Sequence, residues 1–143
     1  MTIQRSQIVQ TAKSYLGVPW THQGRSRAGV DCVGLVVAVA GDLGILPPDL
    51  VIPPYRTRPD ASLLSYFDTH MTPVSLRAIK DGTVVIFAYG GSPYHAGIVV
   101  NVNSSAIVHA YAAHRKVVPD HLEASTKGRT LIRAYDYPGV TDG

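Results

Sequence analysis

One segment constrains this chain more than any other: Asp31-Cys32-Val33-Gly34-Leu35-Val36-Val37-Ala38-Val39-Ala40. It is apolar on nearly every side, so a helix built from it has no face to give to solvent and must run through the middle of the molecule. Asp31 is a favoured N-cap residue and Gly44 a stop, which predicts a helix from Cys32 to about Leu43. The apolar run Val33 to Ala40 is far shorter than the ~18 residues of a membrane span, so no span is expected.

The other elements arrange themselves around that helix. Ile8, Val9, Ala12, Tyr15 and Leu16 recur at helical spacing and predict a first helix within Thr2 to Leu16, stopped at Gly17. Val18 to Val30 is rich in Gly and polar groups and reads as a loop. Ile45 to Asp60 contains Pro47, Pro48, Pro53, Pro54 and Pro59, which argues against regular structure there. A short helix from Ala61 to about Met71, capped by Asp60, follows. Then the pattern turns to strands: Thr83 to Tyr89 after an Asp81-Gly82 turn, His95 to Val102, Ala106 to Tyr111, Arg115 to Val118 and Leu131 to Tyr135. Asn103-Ser104-Ser105 reads as the tip of a hairpin. Helices first and strands later predict an α+β fold with an antiparallel sheet, in a single domain over residues 1–143.

Composition narrows the function classes. Hydrophobic residues make up 45% and charged ones 16% of the chain, which suits a packed domain and not a disordered one. The net charge of +3 is mild. Arg25 and Arg27 cluster without interleaved aromatics, so no nucleic-acid partner is expected, although a basic rim for an acidic polymer fits the same residues. Nothing after Met1-Thr2-Ile3-Gln4-Arg5 reads as a signal peptide, so delivery outside a cytoplasm is expected to depend on another carrier.

Cys32 is the sole cysteine. A disulfide within the chain is impossible and a thiolate metal cluster is not expected. At the first turn of its helix the thiol meets backbone N–H groups and the positive end of the helix dipole, which predicts a pKa below the ordinary ~8.5. The backbone N–H of Cys32 is a candidate oxyanion donor, and Gly34 is expected to leave room for substrate. The plainer reading makes Cys32 one more apolar residue of a buried helix. A nucleophile needs a base, and the candidates are His22, His70, His95, His109, His114 and His121. His95 opens one strand and His109 lies in the next, so both can project from one face and form a relay. Against this stand two structural histidines, or a shared metal. The metal lacks a third ligand of clear spacing, and no cofactor is expected.

Four pieces of sequence, in order, resemble the NlpC/P60 family. They are Gly17-Val18-Pro19-Trp20 followed by Gly24 and Asp31-Cys32-Val33-Gly34; Lys80-Asp81-Gly82-Thr83; Tyr94-His95-Ala96-Gly97-Ile98; and Ile107-Val108-His109-Ala110. The resemblance runs from about Gln4 to Tyr135. It implies a papain-like fold, with a central cysteine-bearing helix packed on an antiparallel sheet. It also implies a cysteine peptidase with Cys32 as nucleophile, His95 as base and His109 as orienting residue. The implied substrate is a peptide bond of bacterial peptidoglycan stems.

Two positions depart from the family pattern: Trp20 stands where a Tyr is usual and Val33 where a Ser is. Of the family's usual substrate-contacting trio only Asp31 remains. Trp20, Gln23 and the loop to Val30 are expected to border the cleft and contact substrate or the oxyanion. The short His22-Gln23-Gly24-Arg25 stretch resembles phage members of the family, which implies a virion tail-tip location and tail-tip protein partners. The alternatives are a structural tail-tip plug or adaptor that keeps the fold, and a related thiol amidase or acyltransferase.

Overall fold

The computed structural model describes residues 2–45, 62–89, 94–123 and 128–141. The apolar segment forms helix α2 (Cys32–Asp42). Val33, Leu35, Val36, Val39 and Ala40 are buried to 1% exposure or less, so the helix is central as its composition requires. Each such branched side chain withdrawn from water stabilises the fold by roughly 1.5–3 kcal/mol.

Helix α1 (Arg5–Lys13) is shorter than the periodicity predicts. Gln4 and Gln7 form a capping box that starts it, with the Gln4 N–H donating to Gln7 Oε1 at 2.8 Å. Its far end unwinds into turns that finish at Gly17, whose φ of +88° suits glycine. Tyr15 is still buried, and its hydroxyl donates to Asp42 at 2.7 Å, joining the ends of α1 and α2. Helix α3 (Ser62–His70) lies where a short helix is predicted. The Pro-rich segment and the Asp60 cap fall outside the described residues.

The sheet is antiparallel throughout and six-stranded: β4 (Thr72–Val74), β5 (Val84–Tyr89), β6 (Tyr94–Asn101), β7 (Ala106–Tyr111), β8 (Lys116–His121) and β9 (Arg129–Asp136), in the order β4-β9-β5-β6-β7-β8. The expected β6–β7 hairpin turns through a short 3-10 segment at Val102–Ser104, with Ser105 left-handed at φ +57°. Three short pairings have no counterpart in the sequence pattern. They are the parallel pair of β1 (Ile3–Gln4) with β10 (Val140–Thr141), a hairpin of β2 (Arg25–Ser26) and β3 (Gly29–Val30) inside the Gly-rich loop, and β4 against β9. Strands of two or three residues are too short for a period of two to declare itself.

Alternation along the strands divides the sheet into two faces. Val84, Ile86, Ala96, Ile98, Val100, Val108 and Ala110 pack with α1 and α2. Val85, Phe87, Val99, Ile107 and Ala134 form a second, smaller cluster. His95 and His109 fall in the second alternation, so they share a face, as expected of a relay. A half-buried clamp closes the fold: Arg5 reaches Asp136 at 2.8 Å and the Asp81 carbonyl at 3.0 Å, and Thr83 donates to the same carboxylate.

Candidate active site

Asp31 does what its position predicts. Its backbone is extended, and one carboxylate oxygen accepts from the Gly34 N–H at 2.7 Å, capping α2. The other oxygen accepts from the Gln23 N–H, also at 2.7 Å. Asp31 is therefore both a cap and a clamp, and it is 3% exposed. Gln23 has φ +60° and an exposed side chain, so the group it turns to Asp31 is its backbone N–H. His22 Nδ1 stands 4.0 Å from the same carboxylate.

The loop over the helix start is stacked on three glycines. A Cβ on Gly34 would overlap the Gly24 carbonyl oxygen, one on Gly24 would overlap the Gly29 carbonyl, and one on Gly29 would overlap Thr21. This corrects one expectation. The space left by Gly34 is filled by the Gly24 carbonyl, not kept for substrate.

Cys32 is at the first position of α2 and is 5% exposed. Burial pushes its thiol up to about 12, and the Asp31 carboxylate pushes the same way. The N–H groups of Ala96, Val33 and Cys32 itself pull it down, by less. The expectation of a lowered thiol pKa is thus corrected. The helix terminus acts in the expected direction, but desolvation of a thiolate in a closed core outweighs it. Burial therefore favours the neutral thiol. The thiol meets β6 at Ala96, the residue after His95.

His95 Nε2 lies 2.6 Å from His109 Nδ1. Neither ring has much access to water: His95 is 9% exposed and His109 fully buried. Gly97 lies beside this contact. It faces His109 across the strands, where a Cβ would make ordinary contact at 3.5 Å with His109 Cβ and a slightly tight one at 3.3 Å with Ile107 Cδ1. Tyr111 stacks on His109 with centroids 5.1 Å apart and planes 14° from parallel. Burial, with His109 and Arg129 adding to it, holds His95 well below its ordinary value.

The chain of contacts continues into residues that the sequence pattern misses. His109 Nε2 lies 3.1 Å from Asp120 Oδ2, and Arg129 reaches the same oxygen at 3.2 Å. The predicted strand ends at Val118, one residue before Pro119. Pro119 is tolerated because β8 is the sheet edge, and the strand runs on to His121. Carrying the alternation two residues past Val118, which pairs with His109, finds Asp120 on the same face.

Trp20 is half-buried against the core. Its backbone N–H donates to the Arg115 carbonyl at 2.8 Å, and its backbone bridges to Val30, so it spans the sheet edge and the strand leading into Cys32. His70 packs on Tyr66 and His114 on Tyr111, while His121 is exposed at the end of β8. Among the described residues no three His, Cys, Asp or Glu side chains group to hold a metal ion.

A model of the NlpC/P60 family matches residues 17–135. Among solved structures, the NlpC/p60 domain of the peptidoglycan hydrolase SagA superposes with a TM-score of 0.67 at 18% identity, over 94% of this chain and 99% of that one. An NlpC/P60 family protein from Bacillus cereus gives 0.71 at 21% identity, covering 96% of this chain and 41% of its own. RipD from Mycobacterium tuberculosis, described as a non-catalytic NlpC/p60 domain adapted to peptidoglycan binding, gives 0.60 at 15% identity over 93% and 97%. No curated protein matches by sequence.

Proposed function

Since the chain belongs to the NlpC/P60 family, we propose that it is a cysteine peptidase that hydrolyses a peptide or amide bond in the stem peptides of bacterial peptidoglycan. Cys32 is the nucleophile, His95 the general base and His109 the residue that orients it. The observation that carries this reading is the 2.6 Å contact between His95 and His109 on the strand whose Ala96 N–H meets the Cys32 thiol.

The chemistry starts from a neutral thiol and a neutral imidazole. As Sγ attacks the scissile carbonyl, His95 takes the thiol proton through Nδ1, the nitrogen not engaged with His109. Base catalysis of this kind contributes roughly 10²–10⁴-fold. The Cys32 N–H, free of an intrahelical partner at the first position of α2, donates to the developing oxyanion. The imidazolium then gives its proton to the leaving amine. Water, activated by the same nitrogen, hydrolyses the thioester.

The family includes RipD, described as non-catalytic, so membership alone does not imply turnover. The presence of Cys32, His95 and His109 supports the catalytic reading here over a plug or adaptor. Trp20, Asp31 and Gln23 border the cleft on the substrate side; Asp31 acts there through the loop it clamps, since both its oxygens already accept backbone N–H bonds. The finer reading is that the enzyme works from a phage or phage-like tail tip beside other tail-tip proteins. It is supported by the short His22-Gln23-Gly24-Arg25 stretch.

The test is digestion of purified peptidoglycan by the wild type and by Cys32→Ser, with mass analysis of the fragments. Stem-peptide fragments from the wild type alone support the proposal. Intact peptidoglycan from both, with binding retained, supports the adaptor. Immunogold labelling of particles checks the location.

A further inference from the structure

We infer that Asp120 is a positioning residue of this site, fixing the His109 tautomer that leaves His95 able to act as a base. The inference rests on the reading of His95 as the general base. An ionised carboxylate only accepts hydrogen bonds. Asp120 Oδ2 lies 3.1 Å from His109 Nε2, so the carboxylate's charge favours the tautomer with its hydrogen on that nitrogen. Neutral His109 then has a bare Nδ1. His95 Nε2, 2.6 Å away, must donate to it. The remaining nitrogen of His95, Nδ1, is left with its lone pair. One carboxylate, two rings away from the thiol, thereby decides which nitrogen of His95 is basic.

Asp120 is itself held. Its side chain is 7% exposed, and Arg129 donates to it at 3.2 Å. Arg129 is fully buried in its side chain, lies over the Phe87 ring at 4.7 Å and reaches the His121 carbonyl at 3.4 Å. The carboxylate is thus pinned from β9 and aimed from β8. Reversing the His109 tautomer would set two N–H groups against each other at 2.6 Å or force His95 into the form protonated at Nδ1, which cannot take the thiol proton.

The groups around the His95 ring are His109 and Tyr111 on β7, Asp120 on β8 and Arg129 on β9, while Cys32 on α2, with Asp31 beside it, meets the N–H of the next residue, Ala96. Of the charged groups, Asp120 favours a protonated His95 and Arg129 disfavours it. Removing each one therefore moves the titration in opposite directions.

The experiment combines kinetics with nitrogen-15 imidazole spectra. In Asp120→Asn, kcat/KM falls on the order of 10–10³-fold with KM little changed. That is less than the ~10⁴-fold seen when the orienting acid of a triad is neutralised, because this acid is one ring further from the base. The acidic limb of the profile moves to lower pH, and in Arg129→Met it moves to higher pH. Merely structural damage would move neither limb. In the substrate-free wild type, the spectrum shows His109 protonated at Nε2 and His95 at Nε2. Wild-type kinetics in Asp120→Asn, unmoved limbs, or His109 protonated at Nδ1 in the wild type would overturn the inference. If Asp120→Asn does not fold, the wild-type spectrum decides. A correct spectrum from a protein that cuts no peptidoglycan would sink the peptidase reading and leave the tautomer assignment intact.

Discussion

His95 Nε2 and His109 Nδ1 are 2.6 Å apart, and between them there is room for one hydrogen. One ring therefore donates and the other accepts, and the two imidazoles titrate as a unit. They are not equivalent: His95 adjoins the residue whose N–H meets the thiol, while His109 is fully buried behind it.

His95→Ala is expected to lower kcat/KM more than His109→Ala does. The base acts in the transition state and is worth roughly 10²–10⁴-fold, whereas the orienting ring is partly replaced by water in the space it leaves. Steady-state kinetics on a defined stem peptide give the ranking. The reverse order would exchange the two roles.

Alkylation of Cys32 by iodoacetamide near neutral pH is expected to be slower than that of free cysteine. The thiol is 5% exposed and pushed up to about 12, so little thiolate is present. Cys32→Ser and Cys32→Ala should retain the fold and lose hydrolysis. Rapid labelling in the folded protein would show that the helix terminus, not burial, sets the thiol.

Gly34→Ala is expected to destabilise the protein by about 1–3 kcal/mol or more, because the added Cβ meets the backbone carbonyl of Gly24, which no side-chain rotation can move. Displacing that loop also displaces the Gln23 N–H from Asp31, so activity should fall with stability. Urea unfolding midpoints measure the first effect and turnover the second. A neutral substitution would mean that the loop moves aside at little cost.

Acid is expected to weaken the fold through His95. Its folded pKa is depressed by burial, so below about 6.5 the unfolded chain takes up a proton that the folded one does not. The contribution to stability is complete above that pH and is lost as the pH falls toward the folded value. Unfolding midpoints at about pH 7.5 and about pH 5 should differ more for the wild type than for His95→Gln. Equal differences would assign the acid sensitivity to other groups.

The all-round apolar composition of Val33 to Ala40 alone determines a buried helix, and Asp31 before it determines where that helix starts. Period-two runs around His95 and His109 determine adjacent strands with both imidazoles on one face. These are local patterns, written within ten residues or so, and they were legible together with the family resemblance and the α+β layout. Tertiary structure decided what local pattern does not carry. It closed the core over Cys32, so desolvation outweighed the helix terminus. It laid the Gly24 carbonyl into the space beside Gly34. It also ran edge strand β8 past Pro119, bringing Asp120 to His109 and Arg129 to Asp120. Each outcome depends on backbone from distant parts of the chain meeting in a dry interior. There, the energy of a charge or a Cβ is set by its neighbours in space, not by its neighbours in sequence.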